Sequence, residues 1–104
     1  MTMENEDEKI RQLVERSIES INEAGIVDNK VILDDTSYVK RPEGPFDSLA
    51  LVALLAELEA AIESDVGVVV SLAAGLGTSS QGSPFATVGS IKRYVNEVVR
   101  AAQQ

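Results

Sequence analysis

The sequence contains no cysteine, no histidine and no tryptophan. Without thiols there are no disulfides and no thiolate metal sites, and without imidazoles the usual zinc ligands and the common activating base for a serine are missing. Aromatics are sparse, at two Phe and two Tyr, so a core has to be made of Leu, Ile, Val and Ala, a palette that suits helix-on-helix packing. Positive charge is also short. Seventeen acids against nine bases leave a formal charge of -8, which repels phosphate backbones, excludes nucleic acid as a natural partner and favours a basic partner protein. No run reaches the roughly 18 apolar residues of a spanning helix, and the acidic start MTMENEDEK is the reverse of a signal peptide. A soluble, cytoplasmic protein with no membrane insertion is expected. At 104 residues the chain has room for one domain with a modest core, below the size at which a cleft is easily built between subdomains.

What is present reads as helices joined by long loops. Residues 1–6 form a polar tail that is expected to be flexible. From Asp7 to about Glu23, Ile10, Leu13, Val14, Ile18 and Ile21 follow the three-and-four spacing of one helical face, and Gly25 is a natural stop. The segment IVDNKVILDDTSYVKRPEGPF reads as a long ordered loop. A second helix opens at Asp47 or Ser48 and runs to about Ser64, with Leu51, Leu54, Leu55, Leu58 and Ile62 as its core stripe. Opposite that stripe lie Leu49, Val52, Ala53, Ala56 and Ala60, where a surface helix ordinarily carries Lys and Glu. Either the helix is buried on both sides or this face docks a partner. Val68, Val69, Leu72, Ala73 and Leu76 could make one short helix. A flexible Gly/Ser loop is expected over residues 75–84, and a last helix is expected with Thr87 as its N-cap and Val88, Ile91, Val95, Val98 and Val99 on one side. The whole chain, 1–104, is then an all-α bundle of three main helices plus a short one.

Three places are candidates for chemistry. Gly75 and Gly77 lie in GLGTSS, a faint echo of a phosphate-cradling turn: VGVVVSLAAGLG would be its strand and turn, but the downstream helix it needs is interrupted by Gly82 and Pro84 and no parallel sheet is in evidence. Asp34 and Asp35 could ligate a hard cation, or be solvated loop and cap residues, since the EF-hand pattern is absent. The triplet Asp47-Ser48-Leu49 differs because it opens a helix. A hydroxyl there adjoins unpaired backbone N–H groups and the positive end of the helix dipole, which favour an attached phosphate. A plain N-cap is the ordinary alternative.

The triplet together with the helix ALVALLAELEAAIESDVG behind it resembles the acyl carrier proteins, in outline from Glu8 to Val99. In that family the serine of a D-S-L motif opens the second helix of a four-helix bundle. The resemblance implies that Ser48 carries 4'-phosphopantetheine delivered from coenzyme A, flanked by Asp47 and Leu49. The reactive sulfur then belongs to the arm, so the chain needs no His or Cys and catalyses nothing itself. The implied partners are a phosphopantetheinyl transferase and acyl-processing enzymes such as a ketosynthase, an acyltransferase or an acyl-ligase, docked on Leu49, Val52, Ala53, Ala56, Glu57 and Ala60 of a monomer. The lead-in KRPEGPF, with Lys40 and Arg41, and the alanines 50, 53 and 60 where the family often has acids, point to a specialised member. A peptidyl or aminoacyl carrier, an unmodified helical interaction module, and a small nucleotide-binding domain using Gly75 and Gly77 are the other readings.

Overall fold

In a computed structural model, which describes residues 3–27, 29–77 and 83–103, the chain forms three α-helices: α1 (Met3–Glu23), α2 (Ser48–Val66) and α3 (Val88–Gln103). A short 3-10 helix spans Ala73–Gly77. No helix among the described residues is long and apolar enough to cross a membrane. The all-α bundle expected from the sequence is the fold, with α1 packed against both α2 and α3.

The core follows the periodicity. Ile10, Leu13, Val14, Ile18 and Ile21 of α1 meet Leu51, Leu54, Leu55, Leu58 and Ile62 of α2 and Val88, Ile91, Val95 and Val99 of α3, all buried. Phe46 and Phe85, which precede α2 and α3, are the largest side chains sealed in it. α1 begins at Met3, four residues before the expected start at Asp7, so residues 3–6 are helical rather than tail. Gly25, at φ 82°, ends the turn after α1, and Gly67, at φ 87°, ends α2, where its N–H reaches back to the carbonyls of Ile62 and Glu63.

The segment 68–76 departs from expectation. Residues 68–72 are not helical, and only Ala73–Gly77 turn, as 3-10 rather than α. Two tethers hold this stretch. The Leu72 N–H donates to the Glu59 carboxylate on α2 at 2.8 Å, and the Tyr94 hydroxyl of α3 donates to the Leu72 carbonyl at 3.3 Å. Leu72 is thereby buried while Val69 stays exposed. Of the loop expected over 75–84, residues 78–82 lie outside the described residues. Its two ends are bonded: the Gly75 N–H donates to the Leu72 carbonyl, and Ser83 accepts from the backbone of Phe85 and Ala86.

The long loop between α1 and α2 is ordered by bonds to distant helices. The buried Asn22 amide of α1 donates to the Val31 carbonyl and accepts from its N–H, at 2.9 and 2.8 Å, which fixes the loop's first half. Asp35 and Ser37 carbonyls accept from the N–H groups of Gly89 and Val88 at the start of α3. A Cβ at Gly89 would stand 2.9 Å from the Asp35 carbonyl oxygen, so the loop approaches α3 more closely than any other residue would allow. Lys92 secures the same contact. Its ammonium, nearly buried, bonds Asp35 and Glu15 at 2.7 Å each and so joins the loop, α1 and α3. Burial alone would lower the Lys92 pKa, but the hydrogen bonds to the two carboxylates outweigh it and hold the pKa above its ordinary value.

Candidate functional site

Ser48 is the first residue of α2, and Asp47 is its N-cap. Asp47 has extended backbone, and its carboxylate accepts the Ala50 N–H at 3.0 Å. The cap therefore belongs to Asp47, and Ser48, expected as either cap or attachment point, is left with an exposed hydroxyl in the first turn. Its N–H and that of Leu49 have no partner among the described residues. The approach to Asp47 is a tight loop. Phe46 donates to the Val39 carbonyl, Arg41 to the Phe46 carbonyl and Gly44 to the Lys40 carbonyl, each at 2.8 to 3.0 Å. Gly44 has no room for a side chain, since a Cβ would collide with the Val39 backbone. Phe46, sealed in the core, thus anchors the residue pair that presents Ser48.

The outer face of α2 continues from that serine. Leu49 and Val52 are 66% and 56% exposed, Ala56 and Ala60 are exposed, and Ala53 is half-buried. Glu57 lies exposed at the edge of this strip. The helix is not buried on both sides: its core stripe and its outer strip are both apolar, and only the first is covered. One sequence expectation needs correction here. Ala50 is fully buried against the core, so it is a packing residue and not an acid missing from the outer face.

The other sequence candidates have structural roles. A Cβ on Gly75 would stand 3.0 Å from Phe85, Pro84 and Tyr94, and those two aromatic rings meet edge to face at 5.5 Å. Gly75 is a packing glycine beneath the aromatic pair. Asp34 turns the loop by accepting the backbone N–H and the hydroxyl of Thr36 at 2.9 and 2.8 Å, and these bonds lower its pKa. Asp35 pairs with Lys92. Thr87 caps α3 in the expected way: its hydroxyl accepts the Ser90 N–H, while Ser90 Oγ accepts the Thr87 N–H. Two grooves, of about 250 and 320 Å³, lie along α1, and Ser48 lines neither.

The Lys92 network, the Asn22 clamp and the Leu72 tethers escaped the sequence reading. Each joins residues far apart in the chain, so no local pattern signals them. In comparison with known proteins, the chain matches no family model, no curated protein and no solved structure.

Proposed function

We propose that this chain is an acyl carrier protein that holds acyl intermediates as thioesters on a 4'-phosphopantetheine arm at Ser48. The observation that carries this reading is the placement of that hydroxyl. It is exposed at the first position of α2, its helix is capped independently by Asp47, and an uncovered strip containing Leu49 and Val52 begins beside it. No imidazole or thiol exists to make Ser48 a nucleophile, whereas attachment chemistry needs only access and a partner enzyme. Unpaired N–H groups at the helix start favour a phosphodiester on that oxygen. The partners are a phosphopantetheinyl transferase and acyl-processing enzymes, and the carrier works in the cytoplasm as a monomer.

The test is intact mass after incubation with coenzyme A and a broad-specificity phosphopantetheinyl transferase. One arm is gained by the native chain and none by Ser48→Ala. No gain by the native chain, or a gain that survives Ser48→Ala, overturns the reading. The uncovered α2 strip also supports a second reading, an unmodified helical module that docks a partner through Leu49, Val52 and Ala56. That module binds its partner equally well with or without the arm.

A further inference from the structure

The groove of about 250 Å³ between α1 and α3 lies apart from Ser48 and is unused by the carrier reading. Ile10 and Gly89 line it together with polar and charged side chains from both helices and the long loop. Its two carboxylates are already engaged: Asp7 takes the Arg100 guanidinium at 2.7 Å, and Asp35 takes the Lys92 ammonium at 2.7 Å. The lining groups that keep donors to spare are cations and an amide. Arg93 is exposed and has no bonded partner among the described residues. Arg11, on the facing helix, has only a 3.9 Å contact with Glu8 in which both side chains are more than half exposed, an arrangement worth little. Asn96 accepts one long bond from Arg100, 3.4 Å, through its oxygen and leaves its NH2 donors unused.

We propose that this groove binds a small oxyanion carrying at least two negative charges, with Arg11 of α1 and Arg93 of α3 as its principal ligands and Asn96 as a neutral donor. Two guanidiniums offer planar forks suited to carboxylate and phosphate oxygens. A ligand held by both would tie α1 to α3 across the groove. The volume is below the roughly 300 to 1,000 Å³ of most ligand pockets, which restricts the ligand to a compact phosphoester or dicarboxylate. Binding is independent of any arm at Ser48.

The experiment is an NMR titration of the full chain with pyrophosphate in one arm and malonate in the other, each matched in ionic strength with chloride. The expected result is saturable movement of the Ile10, Gly89 and Asn96 amides and of the Arg11 and Arg93 side-chain N–H signals. R11Q and R93Q should each weaken binding about tenfold, while R41Q, a cation outside the groove, leaves it unchanged. Preference for one probe identifies the phosphoester or the dicarboxylate as the source chemistry. The proposal is overturned by the absence of saturable movement with both probes. Unchanged affinity in R11Q and R93Q overturns it too, as does an equal loss in R41Q, which would mark diffuse attraction. The wild-type arginine signals decide the matter even if a variant folds poorly.

Discussion

The two helices that flank α1 treat their outer faces differently. α3 directs exposed Arg93 and Glu97 outward, and the one charge it buries, Lys92, bonds carboxylates from α1 and the long loop. α2 has no acid in its first turn and no base in its last, and its outer strip is Leu49, Val52, Ala53, Ala56 and Ala60. The difference lies in what each helix holds. α3 is a hub for loops: its first turn takes the 35–37 segment and Tyr94 takes Leu72, while Arg100 ties it to Asp7 of α1. Among the described residues α2 makes one polar tether to a loop, through Glu59, and leaves an uncovered apolar strip beside Ser48. Scattered exposed hydrophobics are ordinary in folded proteins, whereas a strip continuous along a helix is the feature on which the docking proposal rests.

If the two faces of α2 are as distinct as this comparison holds, the largest effect comes from the inner one. Leu58 is fully buried, and Leu58→Ala should cost about 3 kcal/mol, within the 2 to 5 found when a buried Leu becomes a cavity. Denaturant unfolding measures it. A loss below about 1 kcal/mol would mean that the inner stripe is loosely packed and that the faces are less distinct than described.

The next effect belongs to α3. Lys92→Met removes the ammonium that joins three parts of the fold, but Glu15 and Asp35 are partly exposed, with side chains 39% and 64% accessible, and can be rehydrated. A cost of about 1 to 2 kcal/mol follows, well short of that for breaking a fully buried pair. Its pH dependence has a definite sign. Because the folded pKa is raised above 10.5, the native state holds the proton more tightly. The contribution is fully present below the unfolded pKa and is lost as pH rises through the folded one. The difference between native chain and Lys92→Met should stay level from neutral pH to about 10 and shrink above that. A difference that vanishes nearer neutrality would show that the ammonium is not what joins these elements.

Much of this was legible in the sequence, for reasons that differ by region. The helices were readable because Ile10 to Ile21 and Leu51 to Ile62 repeat at helical spacing, and the start of α3 because Thr87 is a cap residue before an apolar run. The segment after Gly67 misled because Val68, Val69, Leu72 and Leu76 also fit a helix, while what sets its path is Glu59 and Tyr94, 13 and 22 residues from Leu72. Lys92 gave no signal, since a Lys-Arg pair in a helix usually marks solvent and only the long loop makes it interior. The DSL triplet and its outer strip were visible in advance. Which of Asp47 and Ser48 is the cap was not, because both residue types cap helices well.

That last ambiguity gives a smaller, sharper test. Asp47→Ala should cost about 1 kcal/mol, the usual loss for an N-cap carboxylate, while Ser48→Ala should stay within a few tenths of native stability. Thermal unfolding of both variants checks the pair. Equal losses would mean that Ser48 shares the capping and is less free to serve as an attachment point.

The smallest effect on the fold should come from the outer strip, and here stability and binding are expected to part. Leu49 and Val52 are mostly solvated already, so truncating either removes little buried area, and Leu49→Ala and Val52→Ala should each unfold within about 0.5 kcal/mol of the native chain. Binding to a cognate enzyme is different. Once covered, an apolar side chain at the centre of a contact can be worth roughly 1 to 2 kcal/mol, which is 5- to 30-fold in affinity. The alanines at 53, 56 and 60 carry no long side chain, so a partner helix can approach the backbone of α2 closely, and an apolar centre of this kind resists salt. Charges at the rim, Glu57 and Glu63, act mainly on the rate of encounter and are screened over about 10 Å at 0.1 M salt. Affinity measured across ionic strength for the native chain and both variants separates these contributions, with circular dichroism as the folding control. If Leu49→Ala and Val52→Ala bind normally while salt abolishes binding, electrostatic attraction through the acidic rim governs docking. The contrast between the outer faces of α2 and α3 would then have no part in partner choice.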